Sequence, residues 1–402
     1  MKICVLSQSL YTLGGIQRVL ATLFNKIVEN EEIEITVLMP TLPNEENIFG
    51  LSDKVKIINT LDYEKKDIAT VFYRLLRKIN QKTLLFSKMK LGGLLKKFVL
   101  LPGLEKKYRA AIGNDYDVVI GVGCWYSILL SYLAPEISAT TVGWMHSTYE
   151  SYFDNPKAIS HGFSDEFSRT SQNLDQVLVL TKSDKEVFDK KLGLNSKVLY
   201  NPVADMFFCS RRKFNGEHKL LFIGRLNIQH KGLDYLVSIM KKVSEVYSDA
   251  ELTIVGDGPD REALKKLIAD NALEKNVKLV GQSSNVKPYY QEASVVLVPS
   301  RWEGFGVVLL EAMACGTPVV AYENKGPNEI ISNGVDGILI KQYNVNKFSD
   351  AIIKLLGDAE YWEKISANAY QRACEFSAEK TVERFMKYIT QNKEEPAIWE
   401  NE

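Results

Sequence analysis

Strand-length apolar runs alternate with amphipathic helical segments along most of the chain, and this alternation limits the possible folds more than any other feature of the sequence. The pattern is typical of a parallel α/β sheet whose faces are covered by helices. Strands are predicted at residues 2–6, 33–39, 55–58, 117–122, 140–144, 176–180, 197–199, 220–224, 251–255, 277–280, 295–299, 317–320 and 337–339. Helices are predicted at residues 15–29, 127–133, 183–190, 232–247, 260–272, 306–314 and 346–357.

The chain is too long for one ordinary core, since domains commonly contain ~100–200 residues and this sequence has 402. The doubly wound pattern starts again near residue 219, after a polar and basic stretch at 205–218 that contains no predicted strand. We therefore predict a first Rossmann-like domain at residues 1–205, a linker, and a second Rossmann-like domain at 219–378. Residues 379–402 are predicted to begin with an amphipathic helix.

Charge and cysteine content exclude several classes of protein. The 50 basic and 50 acidic side chains cancel, so a nucleic-acid partner is not expected. The five cysteines lack CxxC spacing, which favours reduced thiols in a cytosolic protein. The apolar run at the start of the chain becomes polar too early for a signal peptide, and no run approaches the ~20 apolar residues of a membrane span.

Two glutamates, Glu303 and Glu311, stand eight positions apart after a predicted buried strand. Glu303 lies on a glycine-bearing loop, and Glu311 lies about two turns along the following helix, since ~3.6 residues make one turn. Between them, the backbone N–H groups around 305–307 open that helix and form a potential anion site. A carboxylate, an anion site and a second carboxylate suit a ligand with hydroxyls at both ends and phosphate in the middle, which describes a nucleotide sugar.

The same stretch, with its Gly-Phe-Gly and Glu-Ala-Met-Ala-Cys-Gly-Thr-Pro-Val-Val sequences, resembles the donor site of family 4 retaining glycosyltransferases of the GT-B fold. The resemblance is strongest in the C-terminal half of the chain. It implies two Rossmann-like domains facing each other across a cleft, with the acceptor bound by the first, the nucleotide sugar by the second, and the helix of 379–402 crossing back to the first. It also implies that Glu303 binds hydroxyls of the sugar ring and Glu311 those of the ribose. The donor-binding residues between them are Gly304, Phe305, Gly306 and Val307.

Gly224, Arg225 and Lys231 occupy a predicted strand end, loop and helix start. Gly224 allows a ligand to approach the backbone, Arg225 offers a bidentate fork for phosphate, and Lys231 offers a point charge. The resemblance assigns both cations to the diphosphate. Fixed cations there favour the transition state, because negative charge builds on the departing diphosphate.

In the first half of the chain, Gly14 and Gly15 follow the first predicted strand and open the first predicted helix. Glycines at such a turn permit close approach of a phosphate or sugar. They match the Gly-Gly loop of the family, which faces the diphosphate and the acceptor. By the same resemblance, His146 contacts the transferred sugar, as a hydrogen-bonding group rather than as a general base.

A metal site is not expected. Asp115 and Asp117 form a DxD string, which holds a divalent cation in the other main transferase fold. Here they precede a buried strand in the domain that does not bind the donor, and we interpret them as a turn and strand start. No Cys/His cluster has the spacing of metal ligands. We predict neither a metal nor another cofactor.

Residues 73–109 contain eleven basic side chains and a single acid, Glu105, with leucine and phenylalanine interleaved. In a chain without net charge this is a strong local asymmetry. A basic amphipathic segment can lie in the interface of an anionic membrane. Alternatively, the segment is a solvated helix hairpin whose apolar side packs on the domain. The sequence leaves both interpretations open.

The resemblance, together with these observations, implies a retaining transferase that moves a hexose or N-acetylhexosamine from a nucleotide diphosphate sugar to a glycan or polyprenyl-linked acceptor. The resemblance to bacterial surface-polysaccharide enzymes favours UDP over GDP and implies a cell-surface polysaccharide as the product. A retaining glycosidase would need two carboxylates ~5 Å apart. Because the resemblance assigns Glu303 and Glu311 to different ends of the donor, we favour a metal-independent same-face displacement with Glu303, Arg225, Lys231 and His146 as catalytic residues. The protein is expected in the cytoplasm or on the inner face of the cytoplasmic membrane.

Three alternatives remain. The first is another GT-B enzyme, such as a nucleotide-sugar epimerase or a phosphorylase. The second is a dinucleotide oxidoreductase, which is disfavoured because no Gly-x-Gly-x-x-Gly follows the first predicted strand. The third is a non-catalytic scaffold with a degenerate site, which the presence of Arg225, Lys231, Glu303 and Glu311 argues against. The sequence does not determine the base, the sugar, the acceptor or the oligomeric state.

Overall fold

A computed structural model describes residues 1–390, apart from 13, 43–44, 65–66 and 210–211. The chain divides into two compact units. The first unit is Met1–Tyr200 together with the described residues from Glu379 onward, and the second is Asn201–Ala378. Residues 391–402, which belong to the segment predicted to begin with a helix, lie outside the described residues.

The first unit is built on a sheet of seven parallel strands. Its strands are β1 (Lys2–Leu6), β2 (Glu34–Met39), β3 (Lys56–Asn59), β4 (Val118–Val122), β5 (Thr140–Trp144), β6 (Gln176–Val179) and β7 (Lys197–Val198). Its helices are α1 (Gly15–Ile27), α2 (Ile68–Thr83), α3 (Leu85–Lys88), α4 (Gly92–Val99), α5 (Leu104–Ile112), α6 (Gly123–Leu133), α7 (Ser164–Thr170) and α8 (Lys182–Leu192).

The second unit is built on a sheet of six parallel strands. Its strands are β8 (Lys219–Ile223), β9 (Glu251–Val255), β10 (Val277–Gly281), β11 (Val295–Val298), β12 (Val319–Tyr322) and β13 (Ile338–Ile340). Its helices are α9 (Ile228–Lys231), α10 (Leu233–Val246), α11 (Arg261–Asp270), α12 (Lys287–Glu292), α13 (Val307–Ala314), α14 (Lys325–Ile330), α15 (Val345–Gly357) and α16 (Ala359–Cys374). The chain then continues into α17 (Ala378–Thr390).

The strand orders place one switch point in each sheet. The orders are β3-β2-β1-β4-β5-β6-β7 and β10-β9-β8-β11-β12-β13, so the direction of winding reverses between β1 and β4 and between β8 and β11. Open α/β sheets bind ligands outside the carboxyl ends of the strands at such a point. Gly14 follows β1, Arg225 follows β8 and Glu303 follows β11, so the predicted site residues lie where this topology favours ligand binding.

Both faces of the first sheet are covered, as the near-continuous apolar strands predict. Along β1, Cys4 and Leu6 pack into one apolar cluster, whereas Ile3 and Val5 pack into another. The second cluster also contains Phe385 of α17, whose ring lies 5.6 Å from that of Trp144. The described part of α17 is therefore a component of the first unit's core.

The segment 205–218, predicted as a linker, packs within the second unit where it is described. The Phe207 ring lies edge-on to that of Tyr290 at 5.8 Å, and Phe214 lies against Trp362 at 5.4 Å. Arg212 donates hydrogen bonds to the carbonyl oxygens of Tyr290 and Ala293 and to Thr317 Oγ1. Aromatic contacts and hydrogen bonds thus make this segment, which contains no strand, part of the second unit.

The predicted strand at 317–320 begins two residues later, as β12. Pro318 lacks the backbone N–H that would donate a hydrogen bond to a neighbouring strand. The side chain of Thr317 is bonded elsewhere, since its Oγ1 donates to the carbonyl of Tyr290 at 2.7 Å. The first strand residue is consequently Val319.

The basic segment 73–109 is divided between packed and exposed helices. The apolar residues of α4 and α5, including Leu95, Phe98 and Leu104, are buried in the first unit. The outer face of α2 is exposed. No helix in the described part of the chain is both long enough and apolar enough to cross a bilayer.

Candidate active site

The loop after β11 presents Glu303 to a cation from another element. Lys231 Nζ lies 2.6 Å from Glu303 Oε2, and Ser300 Oγ donates to the same oxygen at 3.2 Å. Both charged side chains are largely shielded from solvent. A charge-assisted hydrogen bond in such a place fixes the orientation of both groups. The structure therefore brings two of the predicted site residues into direct contact, although they were assigned to different parts of the ligand.

Lys231 reaches Glu303 because α9 ends close to β11. Asn227 caps the helix by accepting from the His230 amide at 2.7 Å, and Gly232 ends it with a φ of +64°. A Cβ at position 232 would lie 2.0 Å from the carbonyl oxygen of Pro299, so a side chain there would separate the two segments. Glycine at this position is required both for the left-handed backbone and for the close approach.

Arg301 clamps the loop to α10, a contact that the sequence does not reveal. Its guanidinium makes a bidentate pair with Asp234, at 2.8 and 2.6 Å, and lies 4.0 Å from the centre of the Tyr235 ring. It also donates to the carbonyl of Ile228. Hydrogen bonds to Asp234 raise the pKa of Arg301 further above its ordinary value, so the clamp stays charged.

The other side of the loop is held by amide side chains. Asn324 Nδ2 donates to the Ser300 carbonyl at 2.8 Å, and Gln342 Nε2 donates to Asn324 Oδ1 at 2.9 Å. The Gly326 amide donates to the Glu303 carbonyl at 3.2 Å. Backbone and side-chain bonds thus hold the Glu303 loop from two directions, which is the preorganisation that a binding site requires.

The predicted anion site lies at the start of α13. Gly306 has a φ of +93° and precedes Val307, the first helical residue. The amide of Leu309 is bonded to the Gly306 carbonyl, whereas helix geometry gives the preceding amides no intrahelical acceptor. Phe305 is buried, with its ring 6.2 Å from that of Phe376, so its side chain supports the loop and only its backbone can face a ligand.

Glu311 is almost completely buried on α13, with 2% of its surface exposed. Its Oε2 atom accepts a hydrogen bond from the Tyr290 hydroxyl at 2.7 Å. Tyr290, which is itself buried on α12, has no motif around it and was not predicted as a site residue. The two glutamates thus have different partners: Glu303 is bonded to a cation and a hydroxyl, and Glu311 to a phenol.

Gly224 and Arg225 follow β8, where two loops lie against each other. A Cβ at Gly256 would lie 1.9 Å from the Gly224 carbonyl oxygen, so the turns after β8 and β9 touch through glycine backbone. Arg225 is exposed, and no carboxylate of the described residues forms an ion pair with it. Of the two predicted cations, Lys231 is thus paired with Glu303, whereas Arg225 has no carboxylate partner among the described residues.

In the first unit, Gly14 caps α1 and Gly15 is its first residue. Gln17 lies beneath this turn and donates to Thr12 Oγ1 at 3.0 Å and to the Ser9 carbonyl at 3.4 Å. A Cβ at Gly14 would lie 2.2 Å from Gln17 Oε1, whereas one at Gly15 would meet nothing within 4 Å. A side chain at position 14 would therefore have to displace the Gln17 amide, whereas Gly15 borders open space.

His146 follows β5 and is buried, with 7% of its surface exposed. Its ring lies 4.2 Å from that of Trp144, and its amide donates to the Tyr152 hydroxyl at 3.0 Å. Neither ring nitrogen hydrogen bonds to any described residue. Burial lowers the pKa of His146 to about 3, so the imidazole is neutral at pH 7. A buried ring with one donor and one acceptor, and no protein partner for either, is suited to bind a polar ligand.

Acidification is expected to destabilise the protein through His146. The unfolded chain binds a proton with the ordinary pKa of about 6.5, whereas the folded protein takes it up only near pH 3. The stability that depends on a neutral His146 is present above pH 6.5 and is lost as the pH falls towards 3. Between pH 7 and pH 5 the loss should be about 2 kcal/mol.

Urea unfolding of the wild type and of His146→Phe at both pH values measures this difference. Other titrating groups are present in both proteins, so their contributions to the pH dependence cancel in the comparison. One of them is His230, whose pKa is lowered mainly by burial. Parallel pH dependence in the two proteins would contradict the neutral buried state of His146.

The DxD string has a structural partner. Asp117 Oδ2 accepts from the Lys2 amide at 2.7 Å and so secures the start of β1 beside β4. Throughout the residues that the structure describes, no group of three or more His, Cys, Asp or Glu side chains could hold a metal ion.

Comparison with known proteins relates both the fold and the sequence to glycosyltransferases. The family model described as Glycosyl transferases group 1 matches residues 207–372. An uncharacterized glycosyltransferase of Methanocaldococcus jannaschii is 31% identical over 294 residues, covering 66% of this chain and 73% of the relative. The poly(glycerol-phosphate) alpha-glucosyltransferase of Bacillus subtilis is 31% identical over 238 residues, covering 58% of this chain and 35% of the relative.

Solved structures show the same fold over nearly the whole chain. S. aureus TarM, in complex with fondaparinux, alpha-GlcNAc-glycerol and UDP, has a TM-score of 0.74 at 16% identity, covering 97% of this chain and 100% of TarM. Anabaena HepE with UDP-glucose has a TM-score of 0.68 at 17% identity, covering 97% of this chain and 99% of HepE. The shared fold, with two parallel α/β sheets, defines the class as GT-B and confirms the predicted fold class.

Within that class, the chain belongs to the group 1 glycosyltransferases, which are family 4. The resemblance seen in the sequence around Glu303 and Glu311 is thereby confirmed. The chain spans 35%, 59%, 25% and 60% of the lengths of four curated relatives.

Proposed function

We propose that the protein transfers a hexose or N-acetylhexosamine from a UDP-sugar, with retention, to a glycan or lipid-linked glycan of a cell-surface polysaccharide. The observation that carries the proposal is the Lys231–Glu303–Ser300 cluster at the switch point of the second sheet, held by the Arg301–Asp234 clamp. Such a rigid carboxylate shortly precedes the start of α13 and follows β11, the strand beside the one that leads to Arg225. We infer that these groups bind a sugar ring and a diphosphate together.

Each side chain has a role in this proposal. Glu303 accepts hydrogen bonds from hydroxyls of the sugar ring and keeps its position through Lys231. Arg225 and the amides that open α13 hold the diphosphate, and Glu311 binds the ribose. For the first unit, we assign to neutral His146 a hydrogen bond to a sugar hydroxyl.

The chemical step in this proposal needs no protein nucleophile. The acceptor hydroxyl attacks the anomeric carbon on the face from which the diphosphate departs, and the leaving phosphate oxygen takes the proton of that hydroxyl. Arg225, Lys231 and the start of α13 stabilise the charge that develops on the diphosphate, which is where electrostatic stabilisation accelerates such a reaction. The role of Glu303 is to orient the sugar.

The relatives support the donor and the class of acceptor. UDP or UDP-glucose is named in the structures of TarM and HepE. Curated relatives are named for glucosyl transfer to poly(glycerol-phosphate) and for N-acetylglucosaminyl transfer to poly(ribitol-phosphate), and one structural relative is a lipopolysaccharide outer core galactosyltransferase. We therefore favour UDP over GDP and a surface polymer as acceptor, on the cytoplasmic side of the membrane.

Donor binding is the first test, with UDP-sugars and GDP-sugars compared by thermal shift in the absence of metal. A ligand at a hundred times its dissociation constant should stabilise the protein by about 2.7 kcal/mol, which raises Tm by about 5 to 10 °C. Glu311→Gln should weaken UDP-sugar binding about ten-fold with little change in the ligand-free Tm, because the amide oxygen can still accept from Tyr290. Glu311→Ala should also lower stability by about 1–3 kcal/mol, because the buried Tyr290 hydroxyl loses this acceptor.

Glu292→Gln provides the matched control, since Glu292 is an exposed acid on the same helix as Tyr290. The assigned donor site would be contradicted if none of the nucleotide sugars stabilised the protein, or if the wild type and Glu311→Gln were stabilised equally. Product analysis then separates transfer from epimerisation or phosphorolysis, because only transfer yields a lengthened glycan.

A further inference from the structure

The outer face of α2 is an apolar stripe directed into solvent. Ile68 is 90% exposed, and at least a third of the surface of each other member of the stripe is also exposed. These other members are Val71, Phe72, Leu75 and Ile79. Their spacing of three or four residues places all five on one side of the helix. Isolated exposed apolar residues are ordinary, whereas a continuous stripe indicates an interaction surface.

The opposite side of α2 attaches the helix to the first unit through polar contacts and through Tyr73 and Leu76, which pack against the apolar core of the unit. Asn80 donates to Ser87 Oγ at 2.8 Å, Gln81 donates to the Ala158 carbonyl at 2.8 Å, and Arg77 lies 5.1 Å from the centre of the Trp125 ring. On α1, by contrast, the apolar residues such as Leu20 and Phe24 face inward. Helix α2 thus carries a second apolar surface that faces solvent, while its packed side is already occupied.

Basic side chains border the stripe and continue beyond it. Lys78 and Lys82 are exposed on α2, and Lys88 and Lys90 are exposed on or just after α3. Exposed apolar residues accompany the second pair, at Leu85, Met89 and Leu91. The sequence from 68 to 104 contains eight lysines and arginines and no aspartate or glutamate.

We propose that this α2–α3 face binds the surface of an anionic membrane. The apolar stripe would enter the boundary between headgroups and acyl chains, while the flanking lysines remain among the phosphates. A second copy of this chain fits less well, because a two-fold interface places the same patch on both partners and would oppose the exposed lysines of the two copies. The acid Glu64, close to α2, is already paired with Arg74. The proposal goes beyond the transfer reaction, since membrane binding needs neither donor nor acceptor.

Co-sedimentation of the full chain with vesicles tests the proposal. The protein should pellet with vesicles of phosphatidylglycerol and phosphatidylcholine, remain in the supernatant with phosphatidylcholine alone, and dissociate as salt is raised. The triple variant Phe72→Ser/Leu75→Ser/Ile79→Ser should bind at least about ten-fold more weakly, because it removes the apolar part of the contact. The affinity of Lys78→Gln/Lys82→Gln for anionic vesicles should fall about five-fold for each lysine removed.

Matched controls come from the second unit. Val246→Ser/Val335→Ser removes similarly exposed apolar side chains, and Lys241→Gln/Lys265→Gln removes exposed lysines. Both double variants should bind vesicles as the wild type does. Because all substituted residues are exposed, the variants should unfold at the wild-type temperature, which circular dichroism checks.

Three outcomes would overturn the proposal. The first is failure to pellet with anionic vesicles, and the second is equal pelleting of the α2 and control variants. The third is a concentration-dependent dimer that the α2 substitutions abolish, without vesicle binding, which would assign the face to a second copy. None of these depends on donor binding, so failure here leaves the proposed transfer reaction intact.

Discussion

Replacing Glu303 with alanine is expected to reduce turnover by about two to three orders of magnitude, with a smaller effect on KM for the donor. The carboxylate is held by Lys231 and Ser300 in a loop that is bonded on both sides, so it is positioned before a ligand arrives. Its removal takes away the contact to the sugar and also leaves the Lys231 ammonium, which is largely shielded from solvent, without its nearest counter-ion. Initial rates of transfer to the acceptor, at saturating donor, measure the effect.

The pairing of Glu303 with Lys231 makes a sharper test than either residue alone. Lys231→Ala should also lower turnover strongly, and the double variant should lose little more than the worse single variant, because residues in direct contact act as a unit. The Glu262–Lys265 pair has nearly the same separation, 2.7 Å, but lies exposed on α11. Its double alanine variant is the control and should be fully active. Unchanged turnover in Glu303→Ala, with only the Michaelis constants altered, would show that this carboxylate has no role in the chemical step.

Replacing Phe385 with alanine is expected to destabilise the first unit by about 3–5 kcal/mol. The side chain is fully buried in the apolar cluster that contains Trp144, β1 and β5, and truncation would leave a cavity there. Glu383→Ala, at an exposed position of the same helix, is the matched control and should change stability by less than about 0.5 kcal/mol. Urea unfolding should be monitored with one spectroscopic signal for each unit, because the two units can unfold in separate transitions.

The loss should be confined to the transition of the first unit. An effect of less than about 1 kcal/mol on that transition would mean that α17 is not part of its core. Since the rings of His146 and Phe385 both lie against that of Trp144, the same substitution should also alter the environment of His146, which its NMR ring signals would report.

The strands could be predicted from the sequence because parallel sheets bury both faces. Residues 2–6, 140–144 and 251–255 are strands with the bounds that the sequence predicts. Helix boundaries depend on individual backbone conformations and were predicted less well. The predicted helix at 232–247, for example, is preceded by a separate turn of helix, α9, because Gly232 adopts a left-handed conformation between them.

The residues assigned to the candidate site could be proposed from local sequence patterns, but their contacts could not. Glu303 and Glu311 stand in a recognisable spacing, whereas the partner of each comes from a distant part of the chain. Lys231 precedes Glu303 by 72 residues and Tyr290 precedes Glu311 by 21. Which side chains meet depends on how β8 and β11 are placed side by side, and such long-range pairs have no local pattern.

The basic segment illustrates the same limit. Its composition indicates an amphipathic character, but composition does not determine which side of a helix faces the core. In α4 the apolar residues Leu95 and Phe98 are buried, as in an ordinary surface helix. In α2 the apolar residues are divided: Tyr73 and Leu76 pack on the core, whereas the stripe from Ile68 to Ile79 faces solvent.

The return of the chain to the first unit has a consequence for biosynthesis. The second unit is continuous, from Asn201 to Ala378, so all of it can leave the ribosome as one folding-competent segment. Residues 1–200 of the first unit leave the ribosome earlier, at a time when Phe385 and Ile389 have not yet been synthesised. These two residues complete the apolar cluster over β1 and β5. Domains usually fold in the order of their synthesis. In this chain, however, one face of the first sheet remains partly uncovered until the whole second unit has emerged from the ribosome and α17 has been synthesised. For that interval it is the part of the chain most exposed to chaperones and to aggregation.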